Sequence, residues 1–220
     1  MVIRNEGEAS LTCGGAAGCE HAYGSRNGAQ PNRRRARLGH MDVDDWLKLP
    51  DSGERIELID GSFVVSPAAM GLHALCAGGL RTVLASAAKA AGADLVVVEA
   101  ANVAVGEDGL IPDIVVLPRE LVMSRMVIFP ASEVAAVAEV VSPGPGNHRR
   151  DYEVKPFKYA AAGIPVFMRV ELEGAGIPRV EVLELGAAGY EVTARAGAGE
   201  KLTISDPFAA SFDPAELLDA

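Results

Sequence analysis

Two carboxylates interrupt apolar runs in this 220-residue chain, and a lysine follows on a helix-like run. Asp113 lies in IPDIVVLP, Glu139 in VAEVVSPG and Lys155 in HRRDYEVKPFKYAAAGIP. A carboxylate inside an apolar strand is costly to bury unless something pairs with it. Two of them, followed by a lysine on a helix-like run, suit a site that binds a divalent cation and handles phosphate. Magnesium takes hard oxygen ligands, keeps several waters and often uses only one or two carboxylates. Asp113 and Glu139 are the candidate ligands, with the backbone carbonyl of Val140 as a third. Such an ion polarises a phosphodiester oxygen and lowers the pKa of a bound water. Lys155 would stand near the attacking water and the developing negative charge. The competing reading is that both acids sit at strand ends and are simply solvated, as Asp and Glu often are.

The elements that must position these residues are legible in part. Asp42 caps a short helix through Trp46 and Leu47, ended by Pro50. IELIDGSFVVS reads as a hairpin around Asp60-Gly61, since both turn positions tolerate positive φ. Leu72, Leu75, Cys76, Leu80, Val83, Leu84 and Ala87 recur at helical spacing from Gly71 to Ala91, and Gly92 stops the run. Four β-rich pieces follow, at 95–100, 102–106, 110–117 and 136–142. The last is β-branched and nearly continuous, as in a strand buried on both faces. Residues 119–134 form a connection with a short turn or helix, and 144–147 a loop. Asp151 to Ala162 reads as a helix with Pro156 near its first turn. VFMRVEL, PRVEVLEL and GYEVTA form a meander, and LTIS adds a strand. Asp213 and Pro214 open a short C-terminal helix. The expected fold is α/β (α+β), a mixed central sheet flanked by helices.

Four blocks, ERIELIDGSFVVSP, LIPDIVVLP, AEVVSPG and KPFKYAAAGIPVFMRVEL, in this order, resemble the Uma-type endonuclease family. That family belongs to the PD-(D/E)XK superfamily, with a restriction-endonuclease-like fold. The resemblance covers about residues 41–218. It implies a metal-dependent endonuclease, using Mg2+ or Mn2+, that hydrolyses phosphodiester bonds in nucleic acid, with DNA the expected substrate. Asp113 and Glu139 would bind the ion and Lys155 would assist the water. The superfamily's lysine normally lies two residues after the second acid, where this chain has Val141. In the resembling family it lies on the following helix, where Lys155 matches. Glu57 matches a family glutamate near the site, as a support or a ligand to a second ion; pairing with Arg55 or Arg81 is the rival role. Tyr159 matches a family tyrosine and is expected mainly to pack. His73 also matches a family position and is expected to be structural. Glu99 is a weaker candidate. His148, Arg149, Arg150 and Lys158 would form a small basic rim. The loop from Ser142 to Arg150 is longer than the family suggests, and Met168 replaces a core tryptophan. Nucleases of this class often form homodimers. Two acids in a partly dry cleft repel, so one should have a raised pKa without metal. Asp113→Asn is then expected to leave the metal-free fold at least as stable.

Composition is that of an ordinary globular chain, 49% hydrophobic and 23% charged, with length for one well-buried core. The net charge of −10 disfavours a protein that coats nucleic acid through phosphate contacts. It leaves open an enzyme whose ion supplies charge locally. It also keeps open a second reading, a non-catalytic nucleic-acid- or protein-interaction module on the same fold. Three cysteines argue against a disulfide framework and fit a reducing, cytoplasmic setting. Cys13, Cys19 and His21 lack a second ligand pair for zinc. No run reaches the ~18 apolar residues of a membrane span.

Residues 1–40 hold six arginines against three glutamates, a balance of +3 that leaves −13 on the remaining 180. Without apolar periodicity they read as a disordered N-terminal extension, and residues 41–220 as the domain. Arg33, Arg34, Arg35 and Arg37 could be a nucleic-acid-binding arm, although a solvated tail is the simpler reading. A chain starting at Met41 is therefore expected to melt at the same temperature as the full chain; a clear drop in a thermal scan would show that the extension docks on the domain.

Overall fold

The computed structural model describes residues 39–50, 52–66 and 69–219. The expected disordered extension, with its arginine run, Cys13, Cys19 and His21, lies outside them save for Gly39 and His40.

The described chain starts with a short helix α1 (Val43–Leu47), closed by a capping box between Asp42 and Asp45. Strands β1 (Arg55–Ile59) and β2 (Ser62–Ser66) form the expected hairpin. Its turn holds Asp60 at φ 50° and Gly61 at φ 70°, the left-handed pair that a two-residue hairpin loop requires. Gly61 is further constrained because His40 packs where a Cβ would stand. Helix α2 (Gly71–Ala90) follows, and then β3 (Leu95–Glu99), β4 (Val103–Val105), β5 (Asp108–Leu110) and β6 (Ile114–Pro118).

The run LIPDIVVL is not one strand. It breaks between β5 and β6, and the two halves enter different sheets. Pro112 has no N–H to give to a ladder, and the Ile111 N–H donates to the Glu57 carboxylate instead. Asp113 thus stands at the entry to β6 rather than inside a strand.

Helix α3 (Arg119–Met123), the short β7 (Phe129–Pro130) and a 3-10 turn (Ala131–Glu133) lead into β8 (Ala136–Val140). The expected loop at 144–147 is in fact mostly helical. Helix α4 (Pro145–Arg149), a π-helical turn (Arg150–Val154) and helix α5 (Lys155–Ala161) succeed one another directly. Pro145 takes the helix start, and the long loop expected from Ser142 to Arg150 shrinks accordingly. Pro156 therefore lies well inside a helical run, where its ring would crowd the carbonyl four residues back. The turn just before it is widened, with the Lys155 N–H bonded to the Arg150 carbonyl five residues earlier. Such π turns recur at functional sites.

Strands β9 (Val166–Glu171), β10 (Arg179–Gly186) and β11 (Gly189–Ala196) make the expected meander. LTIS supplies β12 (Leu202–Ile204), paired with β13 (Ala210–Phe212) in a separate ribbon. The C-terminal helix is a 3-10 turn (Pro214–Leu218) capped by Asp213.

The larger sheet has the order β11-β10-β9-β8-β6-β3 and the smaller β2-β1-β5-β4-β7. In the larger sheet β8 and β9 are parallel and the other pairs antiparallel. A parallel pair needs a crossover, and the 145–161 helical run provides it. The fold is thus the expected mixed sheet flanked by helices.

Strand alternation sorts the core into two layers. Ala136, Ala138 and Val140 of β8 pack with Ile114, Val116, Leu80 and Leu84 in one cluster. Val137 joins Val115, Leu117, Tyr159 and Phe167 in the other. Glu139 shares the parity of Val137 and so points toward α5. Cys76 and Met168 are buried in the first cluster, as expected.

Gly79 of α2 lies where a Cβ would strike the backbone of Leu217. Gly79→Ala is expected to lower the urea midpoint by a destabilisation of about 1–3 kcal/mol, typical of overpacking. An unchanged midpoint would mean the C-terminal turn moves aside freely.

Candidate active site

Asp113, Glu139 and Lys155 line one cleft of about 620 Å3, together with Arg55, His73, Val140 and Asp151. Three elements meet here. The entry to β6 brings Asp113, β8 brings Glu139, and the start of α5 brings Lys155. Because β6 and β8 are paired with Ile114 opposite Ala138, Asp113 and Glu139 fall one residue from that pair on adjacent strands.

Lys155 is only 2% exposed. Its Nζ lies 2.9 Å from Glu139 Oε1 and 3.0 Å from Glu57 Oε1. Glu57 is fully buried and lies behind Lys155 rather than lining the cleft. It pairs neither with Arg55 nor with Arg81. Its Oε1 also accepts the Ile111 N–H at 2.8 Å, so it ties β1 to the bend that presents Asp113. Tyr159 does more than pack: its hydroxyl donates to Glu139 Oε1 at 2.6 Å.

Asp113 is fully engaged. Oδ2 accepts the Val140 N–H at 2.8 Å and lies 3.3 Å from His73 Nε2. Oδ1 lies 2.5 Å from Arg55 Nη1. The second guanidinium nitrogen of Arg55 donates to the Ile111 carbonyl. His73, expected to be merely structural, therefore faces the site, and Arg55 and Asp151 were not expected in it. Two of these were accessible from periodicity. Arg55 and Glu57 are two apart on a strand and share a face, and Asp151 lies one helical turn before Lys155. Glu99 lies elsewhere, 3.9 Å from Arg81.

The expected basic rim does not form as a unit. Lys158 is held by Asp60 and Asp108, at 2.7 and 2.6 Å, beside a different cavity. His148 stacks on Tyr152 with ring centroids 4.0 Å apart. Arg149 pairs with Glu153 at 3.4 Å. Arg150 alone lines the cleft, bonded to Asn147 at 2.9 Å.

Charge is unevenly distributed here. Asp113, Glu139, Glu57 and Asp151 outnumber the cations Arg55, Lys155 and Arg150, the last 3.8 Å from Asp151. Burial alone would raise Asp113, but the His73 hydrogen bond and the charge of Arg55 overcome it and hold its carboxyl well below the usual range. Burial pushes Glu139 above its ordinary value; Lys155 opposes the shift, while Asp113, Asp151 and Glu57 add to it. Burial would lower Lys155, yet Glu139 and Glu57 outweigh it and keep the ammonium charged. Burial likewise raises Asp151. Of the two candidate ligands, one is raised in the metal-free cleft, as expected, and it is Glu139.

The donor set suits a hard divalent cation. It is all oxygen, and it carries surplus negative charge. Among the described residues no three His, Cys, Asp or Glu side chains converge as a ready metal cage. Asp113 and Glu139 would hold the ion with water completing its shell, as magnesium prefers.

A mixed sheet whose parallel crossover helix delivers a lysine to one acid on a strand and another at a strand's entry defines a restriction-endonuclease-like domain. The profile of the Uma2 family, described as "Putative restriction endonuclease", matches residues 43–217, and the chain belongs to that family. A solved structure from Anabaena variabilis ATCC 29413, described as "a putative nuclease belonging to DUF820", shares the fold with a TM-score of 0.62 at 18% identity. The match covers 81% of this chain and 98% of that one. No curated protein matches the chain.

The expectation for Asp113→Asn reverses in the light of this geometry. A carboxylate held charged by Arg55, His73 and a buried N–H stabilises the fold, and truncating one partner of a buried pair costs on the order of 3 kcal/mol. Asp113→Asn should therefore destabilise the metal-free protein at neutral pH. Asp113 has its folded pKa depressed, so its contribution is present above its ordinary value of 3.8 and lost as pH falls below it. Denaturant titrations of both proteins should show the gap closing below that pH; a gap that stays constant would count against the charged anchor.

Proposed function

We propose that this protein is a metal-dependent endonuclease that hydrolyses phosphodiester bonds, with DNA as the substrate and the domain from Met41 onward as the working unit. The observation that carries the reading is the convergence of Asp113, Glu139 and a charged, buried Lys155 on one cleft. Membership of a family described as restriction endonucleases supports it.

Asp113 and Glu139 would hold Mg2+ or Mn2+, which when bound supplies charge to a phosphodiester oxygen and acidifies a water. Lys155, held protonated, would donate a hydrogen bond toward the attacking water or the phosphate oxygen that gains charge; it is not a base. Glu57 and Tyr159 position this pair: Glu57 fixes the ammonium, and the Tyr159 hydroxyl fixes Glu139 Oε1. Arg150 is the cleft cation free of the three central groups, and its guanidinium suits a phosphate of the backbone.

The rival reading, an interaction module without catalysis, is favoured by the net charge of −10 and by the dispersal of the expected basic rim. Activity separates the two. Purified protein should nick plasmid DNA only with Mg2+ or Mn2+, and Lys155→Ala should reduce the rate at least 100-fold, the scale of losing one preorganised charge-stabilising group. Either ion should also raise the melting temperature of wild type but not of Asp113→Asn, because it binds only the folded site. Ion-independent thermal behaviour with no nicking would favour the interaction module.

A further inference from the structure

Arg55 occupies the position that the ion would need. Asp113 Oδ2 is already committed to the Val140 N–H and His73, at 2.8 and 3.3 Å. Oδ1 is the oxygen left for a cation, and Arg55 Nη1 sits 2.5 Å from it. The guanidinium also feels the charges of Glu139 and Glu57, the same acids that surround the candidate ion site. A divalent ion bound between Asp113 and Glu139 and a guanidinium in contact with Asp113 would be like charges sharing one acceptor.

Of the two cations in contact with the candidate ligands, Arg55 is the one able to leave. The Lys155 side chain is 3% exposed and is locked between Glu139 and Glu57. The Arg55 side chain is 28% exposed and lines the open cleft. Its Nε is buried without a hydrogen-bond partner among the described residues, so its present pose leaves one donor unsatisfied. An unmade hydrogen bond of this kind weakens the hold, and a partly exposed head can regain water by rotating outward.

We propose that Arg55 is a resident counter-ion that holds the cation position at Asp113 Oδ1 and is exchanged for the divalent ion on loading. The proposal rests on the endonuclease reading above. It makes ion uptake a replacement of one cation by another rather than the filling of a preformed vacancy. Apparent affinity for the ion is then reduced by the fraction of molecules in which Arg55 is docked. The docked arginine offsets the charge of Asp113 while no ion is bound.

The test is calorimetric titration of Mn2+ into metal-free wild type, Arg55→Gln, Arg55→Lys, Arg81→Gln and Asp113→Asn, with melting temperatures of the metal-free proteins. Arg55→Gln should bind Mn2+ at least tenfold more tightly than wild type while melting lower without ion. Arg55→Lys keeps the charge but loses the two-pronged hold on Asp113 and the Ile111 carbonyl. It should bind severalfold more tightly, and it carries the test if Arg55→Gln fails to fold. Arg81→Gln removes the same charge from an exposed pair and should leave affinity unchanged; an equal gain there would reduce the effect to overall charge and overturn the proposal. Equal or weaker Mn2+ binding by the Arg55 variants, with wild type binding and Asp113→Asn not, would overturn the exchange while leaving the endonuclease reading intact. Binding in none of the proteins, or undiminished binding in Asp113→Asn, would defeat both.

Discussion

A buried ammonium holds the site together. Lys155 on the crossover helix bridges Glu139 of the larger sheet and Glu57 of the smaller one. Taking three charges out of water costs several kcal/mol per ion, and a triad of this kind is not stabilising in itself. Apolar residues of the same volume would hold these elements together at least as well. The triad instead fixes a positive charge beside two acids with little freedom to move, which is what a catalytic cation needs. The Ile111 N–H on Glu57 extends the same constraint to the bend that presents Asp113.

Backbone breaks do the positioning. Pro112 ends one strand and lets the chain change sheets, so Asp113 emerges at a mouth with its carboxylate free to take the Val140 N–H. The π turn ahead of Pro156 keeps the helical run continuous while Asp151 and Lys155 are both buried. Strand parity completes the arrangement, since Glu139 faces the helix layer while Ala138 and Val140 face the opposite core. The first two of these devices depart from regular structure, and both do so at the site.

The electrostatics follow from the same crowding. Four carboxylates against the three cations Arg55, Arg150 and Lys155 leave the cleft short of positive charge, and the deficit appears at Glu139, whose proton affinity rises, rather than at Asp113. Asp113 escapes because three donors surround it. The acidic surface of the chain as a whole sets no such local balance; an acidic protein can still gather a phosphate where an ion and an arginine are presented at one point.

The sequence by itself determined the periodic elements and the chemistry-bearing residues. Asp60-Gly61 specified its hairpin through φ, the apolar spacing from Leu72 to Ala87 specified α2, and Asp113 and Glu139 stood out because their neighbours are apolar, with Lys155 on the helix-like run that follows. These are local properties, set by a few adjacent residues. The partners of those residues were decided by the tertiary structure. Nothing local says that Glu57 pairs with Lys155 across 98 positions of chain rather than with nearby Arg55, or that His73 on a separate helix reaches Asp113. Nor does a proline-containing sequence disclose that Pro156 sits inside a continuous helical run, since that depends on the widened turn before it and the sheets it packs against. Ion pairing in a buried cleft is settled by which side chains the fold brings within 3–4 Å in low dielectric, about the range over which charges couple strongly, and that information resides in the packing of whole elements.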